Sequence, residues 1–139
     1  MDPTPADMDE LLAFLPRLEA PGRAFTTRWA GGESVDARTI TTPYPVYADD
    51  VLAFFRAAGR PCWSDYSYDP ESARKMLADD HLVARATLGE IRTMLTLCVR
   101  GERFCDGFWE ALLTEGRVAA VLRRLAELRR ELGPGPGGD

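Results

Sequence analysis

Leu11, Leu12, Phe14, Leu15 and Leu18 recur at the three-and-four spacing of one helix face. Asp7 can cap such a helix, so the pattern predicts a helix from Met8 to about Leu15. Pro16 lacks the backbone donor and clashes one turn back, so it ends or kinks the helix there. Pro21-Gly22 closes the segment. The period then changes to two: Phe25, Thr27 and Trp29 alternate with Thr26 and Arg28. Gly31-Gly32 and a β-branched run, Val35–Thr42, complete a strand–loop–strand signal over 24–42. Pro43-Tyr44-Pro45 ends the second strand, because proline cannot donate to a ladder.

Beyond that hairpin the pattern is helical. Asp49 or Asp50 opens a helix with Val51, Leu52, Phe54, Phe55 and Ala58 on its apolar face, and Gly59 stops it. Residues 60–68 form an aromatic-rich loop. Asp69-Pro70-Glu71 is a helix opening, with a capping carboxylate followed by proline at the first helical position. That helix ends near Asp80. Thr87 with Glu90 is a capping box for a central helix over 87–100, whose stripe is Leu88, Ile91, Leu95, Cys98 and Val99. Gly101 bends or ends it. A shorter helix is expected over about 106–115 and a last one over about 117–132. The last helix carries Val118, Val121, Leu122, Leu125, Leu128 and Leu132 on one side. The predicted fold is α+β and mostly helical, with about five helices and one small β-hairpin. One globular domain is expected over residues 1–132, followed by a flexible Gly/Pro tail over 133–139.

Composition narrows the class. A chain of 139 residues that is 45% hydrophobic suffices for one core, burying roughly 68% of its unfolded surface. Its longest apolar runs, such as Leu11–Leu15, are far short of the roughly 20 residues of a bilayer span. The acidic N-terminus is unlike a signal peptide, which points to the cytoplasm. Three cysteines, an odd count, give no disulfide framework. The formal net charge is −5, and 16 of the 17 basic residues are arginine. An acidic balance argues against a general nucleic-acid binder. The charge is uneven: residues 1–81 hold 14 acids and 8 bases, whereas residues 82–139 hold 8 acids and 9 bases. The second half is thus a surface for an anion or the internal counterpart of the acidic half.

Candidate chemistry concentrates in Thr96-Leu97-Cys98-Val99-Arg100-Gly101-Glu102-Arg103-Phe104-Cys105-Asp106-Gly107. Arg100 and Arg103 share a helix face at i, i+3, and two forked guanidiniums suit a carboxylate or phosphate. In that reading Glu102 orients the ligand or acts as acid/base, Trp63 stacks on it, and Asp65 lies in the same site. The alternative is structural, with Arg100 or Arg103 pairing an internal carboxylate such as Asp65. Trp63, Tyr66, Tyr68, Tyr44 and Tyr47 are either a stacking surface or a lid over the core. Trp109, with Phe104 and Phe108, suits the core or an oligomer interface. Cys62, His81, Cys98 and Cys105 are the only Cys and His residues of the chain, and no Cys-x-x-Cys knuckle joins any of them. No metal and no cofactor is therefore expected. His81 has no local nucleophile signature. Arg123, Arg124, Arg129 and Arg130 lie opposite the last helix's leucines, diluted by Glu127 and Glu131 into a solvated face.

The run Thr96-x-x-Val99-Arg100-x-Glu102-Arg103-Phe104-x-x-Gly107, followed by Glu115-Gly116 and Leu122-Arg123-Arg124-Leu125, resembles a family of short bacterial and archaeal proteins of unknown function. Members pair a T-x-x-V-R-x-D/E-R-F-x-x-G run with a terminal L-x-R-L helix. Leu15-Pro16 and the Trp63–Asp65 region are similar too, so the resemblance covers most of residues 10–130. Members often carry His after the motif glycine, where this chain has Phe108. The resemblance implies a hallmark run but transfers no activity. Two functional classes follow. One is a non-catalytic protein-interaction module, whose partner is another protein or a second copy in a homodimer. The other is a small-molecule or nucleotide-binding protein, with enzymatic activity left open, using Arg100 and Arg103 as an anion clamp.

Overall fold

The longest helix, Leu88–Phe104, organises the chain around itself. In the computed structural model, which describes residues 2–31 and 43–133, the elements are α1 (Pro5–Leu12), α2 (Leu15–Leu18), β1 (Thr26–Ala30), β2 (Tyr44–Tyr47), α3 (Asp49–Ala58), α4 (Pro70–Ala78), α5 (Asp80–Ala84), α6 (Leu88–Phe104), α7 (Phe108–Thr114) and α8 (Arg117–Glu131), with one 3₁₀ turn at Pro61–Trp63. The architecture is mostly helical with one antiparallel two-stranded sheet, as the apolar pattern predicts. The helical segments outnumber the about five expected: the first helix divides at Ala13–Phe14, with Pro16 in the first turn of α2 rather than at the break, and a short α5 follows α4.

α6 starts where its capping box predicts. The Thr87 hydroxyl accepts the Glu90 N–H at 3.2 Å, and the Glu90 carboxylate accepts the Thr87 N–H at 2.9 Å. Ile91, Met94, Leu95 and Cys98 are fully buried, and Leu97 nearly so. Met94 and Leu97 widen the expected stripe because α4 covers one side of α6 while α3, α7 and α8 cover others. α8 supplies Val118, Val121, Leu122 and Leu125 to the same core. Leu132 was expected on that face, but it lies one residue past the helix and is exposed.

Three local expectations change. α1 is capped by Thr4, not Asp7. Pro5 takes the first helical position, and Asp7 is the third residue of a capping box, its carboxylate accepting the Thr4 N–H at 2.8 Å. Gly101 does not end α6, which runs on to Phe104. Tyr44-Pro45, expected to end a strand, lies inside β2, which pairs with β1 in the register Arg28↔Val46, Trp29↔Pro45, Ala30↔Tyr44, while the expected strand Val35–Thr42 lies outside the described residues. Pro45 is tolerated inside β2 because, among the described residues, β2 has one ladder neighbour and the missing donor can face its other edge. The expected tail over 134–139 also lies outside the described residues.

Candidate functional site

The central run first does structural work. The Glu102 carboxylate accepts three hydrogen bonds: from the Tyr47 hydroxyl, the Gly107 N–H and the Trp109 N–H, each at 2.9 Å. It thereby ties α6 to β2 and to the start of α7. Gly107 has φ +90°, which a side chain would strain. The Tyr47 hydroxyl in turn accepts the Glu110 N–H at 3.2 Å. Burial, with the Glu102 hydrogen bond second, raises the Tyr47 phenol well above its ordinary value. Trp109 stacks on Phe55 with ring centroids 4.0 Å apart and donates its indole N–H to the Cys98 carbonyl at 2.7 Å.

One turn earlier, Thr96 is buried. Its hydroxyl donates to the Arg92 carbonyl at 2.8 Å and accepts the Asp65 N–H at 2.9 Å. The Asp65 carboxylate accepts the Thr93 hydroxyl at 2.7 Å and the Ser67 N–H at 3.1 Å. These bonds, the one from Thr93 first, hold its carboxyl below the usual range. Asp65 therefore fastens the loop after the 3₁₀ turn to α6. Trp63, read as either a stacking surface or a lid over the core, is 0% exposed and packs as core, with no face for a ligand. The aromatic side chain best able to fill the space beneath this loop is the one that goes inside. An open hollow of about 470 Å³ lies beside Asp65, Tyr66, Gly89 and Arg92, but its charged groups are already engaged, Asp65 by Thr93 and Ser67. Arg92 donates there to the Ser64 carbonyl at 3.0 Å and to Asp2 at 3.2 Å.

Arg100 goes elsewhere. Its guanidinium carbon lies 5.2 Å from the Tyr68 ring centroid, a cation–π contact rather than the ion pair with Asp65 that the structural alternative supposed. It borders a hollow of about 210 Å³ between α4, α6 and the α6–α7 link, whose walls include Tyr68, Arg74, Leu97, Cys105 and Phe108. A second hollow of about 200 Å³ shares Arg74, Leu97 and Phe108 and continues to Leu77, Leu112 and Arg117. Arg117 meets Glu115 at 3.3 Å and donates to the Leu77 carbonyl at 3.0 Å. Among the described residues neither Arg74 nor Arg100 meets a carboxylate. The two hollows form one groove with an apolar floor and an arginine rim.

The five residues expected to share a site are thus dispersed. Arg100 lines the groove, Arg103 is exposed and lines neither hollow, Glu102 caps α7, Asp65 secures a loop, and Trp63 is core. Arg74 takes the place beside Arg100. It was legible in principle, since Pro70, Arg74 and Leu77 fall at i, i+4 and i+7 on α4.

The sulfur chemistry is muted. Burial raises the Cys98 thiol to about 12, and burial with the neighbouring Asp7 raises Cys62. Cys98 and Cys105 do not share a face, because Cys105 caps α6 in extended backbone and is exposed. Among the described residues no three His, Cys, Asp or Glu side chains converge as a metal set.

The fold is thus a mostly helical α+β one that carries an arginine-edged groove between α4, α6 and α7. The chain belongs to a family of unknown function, DUF6508, which matches residues 3–131. No curated protein and no solved structure matches it.

Proposed function

We propose that the protein is a non-catalytic interaction module and that the groove between α4, α6 and α7 is its contact site. The observation carrying this reading is the pair Arg74 and Arg100, neither matched by a carboxylate among the described residues, beside the apolar floor of Leu97, Phe108 and Leu112. Ionised groups beside apolar surface are stabilised by a partner of opposite charge, so an unmatched pair there invites one. The polar groups of the central run are already engaged: Glu102 accepts three hydrogen bonds and Thr96 two neighbours.

The small-molecule reading asked Arg100 and Arg103 to close on one anion, with Trp63 stacking. The placement of Arg103 and Trp63 favours that reading less. A homodimer meeting groove to groove is disfavoured, since a two-fold axis would set Arg74 and Arg100 against their own copies.

A photo-crosslinking amino acid at position 74 tests the reading, with one at position 131 on the far end of α8 as control. In native cells the groove probe should give adducts of protein size that the control does not. Adducts of small-molecule mass at position 74 would instead favour the alternative.

A further inference from the structure

We infer that the groove receives an acidic peptide segment in which a carboxylate stands next to a large apolar side chain. The inference rests on the interaction-module reading and adds the partner's chemistry. Two hollows of similar size share a wall of Arg74, Leu97 and Phe108. Paired shallow hollows take two neighbouring side chains of a peptide better than one compact ligand. Their floor is Leu97, Phe108, Leu77 and Leu112, so the inserted side chains are apolar. Their rim carries Arg74, Arg100 and the Arg117–Glu115 pair, a net positive charge, so the flanking groups are anionic.

The state of Arg100 sharpens this. Its guanidinium lies over the Tyr68 ring and, among the described residues, meets no carboxylate, so its N–H groups can serve a ligand. A carboxylate can accept two parallel hydrogen bonds from a guanidinium. Arg74, exposed on α4, is free to bind the same acid or its neighbour. A nucleic acid would also offer anions. Among the described residues, however, the groove's aromatic side chains are Tyr68, which Arg100 already covers, and Phe108, whose ring packs against Gly101, so it offers no row of open stacking planes. The net charge of −5 opposes an extended polyanion further.

The test is a random peptide library displayed on phage and panned against the full chain. Enriched peptides are then measured by fluorescence anisotropy. Each variant's fold is checked by circular dichroism. The expected consensus places Asp or Glu beside Leu, Ile, Phe or Trp. Arg74→Glu and Arg100→Glu should each weaken binding at least ~10-fold, and added salt should weaken it too. Arg130→Glu, at an exposed site on α8, should leave affinity within about twofold, as for a surface charge far from the contact. Cys105→Trp, which fills the groove from an exposed position, should abolish it. Peptides that lack an acid yet are lost in Cys105→Trp would overturn the acidic partner while leaving the groove as the contact site. No enrichment, or binding indifferent to all three groove variants, would overturn both. Stronger competition by polyuridylate than by the unlabelled peptide would overturn the proposal in favour of RNA.

Discussion

A methyl group added at Gly101 would lie 2.1 Å from two ring carbons of Phe108. In an ordinary helix interior, Gly→Ala stabilises by about 1 kcal/mol. Here the sign should reverse, with Gly101→Ala costing roughly 1–3 kcal/mol by overpacking. Urea denaturation measures it, and adding Phe108→Ala should recover part of the loss. A stabilised Gly101→Ala would mean that Phe108 does not pack there. Glu102 makes a second expectation at this scale. Glu102→Ala leaves the Gly107 and Trp109 N–H groups and the Tyr47 hydroxyl without their acceptor, and should cost roughly 2–4 kcal/mol. Stability within about 0.5 kcal/mol of wild type, as for an ordinary surface site, would remove Glu102 from the architecture. Neither role was legible in the chain. Glycine after an arginine reads as a helix end, and only the return of Phe108 across α6 makes it a contact. Glutamate between two arginines reads as ligand chemistry, and only the arrival of β2 and α7 turns it into an anchor. Trp63 fails for the same reason: a loop position says nothing of which way an indole points.

At the scale of elements, boundaries follow local chemistry where a cap is written into consecutive residues. Thr87 with Glu90 and Asp69 with Pro70 open their helices as expected, because both partners lie within one turn. β2 was not legible because the prolines of Pro43-Tyr44-Pro45 read as the end of a strand, whereas the observed pairing with β1 is a tertiary matter. The join between the first helices and α3 has an electrostatic consequence. Arg23 forks onto the Asp50 carboxylate, one bond being 2.7 Å, and also donates to the Arg17 carbonyl at 3.1 Å. These hydrogen bonds hold the Asp50 carboxyl below its ordinary 3.8. A lowered carboxyl value stabilises the fold fully above the unfolded value and ceases to as pH falls through the lower folded one. Asp50→Asn should therefore cost roughly 1–2 kcal/mol at pH 7. The urea midpoints of variant and wild type should converge below about pH 4. A constant gap down to strong acid would show that the pair contributes nothing electrostatic.

Over the whole molecule, the uneven charge becomes cross-chain pairing. Arg129 meets Asp9 at 2.9 Å, Arg92 meets Asp2 at 3.2 Å, and Arg123 pairs with Glu19. Three arginines of the second half thus clamp the N-terminal residues, and Arg100, like Arg74 of the first half, is not among the paired ones of the described residues. Surface pairs of this kind contribute little each, so stability should follow the core. α6 touches α3, α4, α7, α8 and the 3₁₀ turn, and every residue from Met94 to Cys98 is buried. β1 has exposed residues at Thr27, Arg28 and Trp29 and, among the described residues, one ladder partner. Native-state hydrogen exchange should then separate the two. Amides of Met94–Cys98 should exchange only through global unfolding, with an opening free energy equal to that from urea. Amides of Thr26–Ala30 should open locally at far lower cost, because few buried apolar contacts resist it. Equal protection in β1 and α6 would mean that the sheet folds as one unit with the helical core, and that α6 is not the element on which the rest depends.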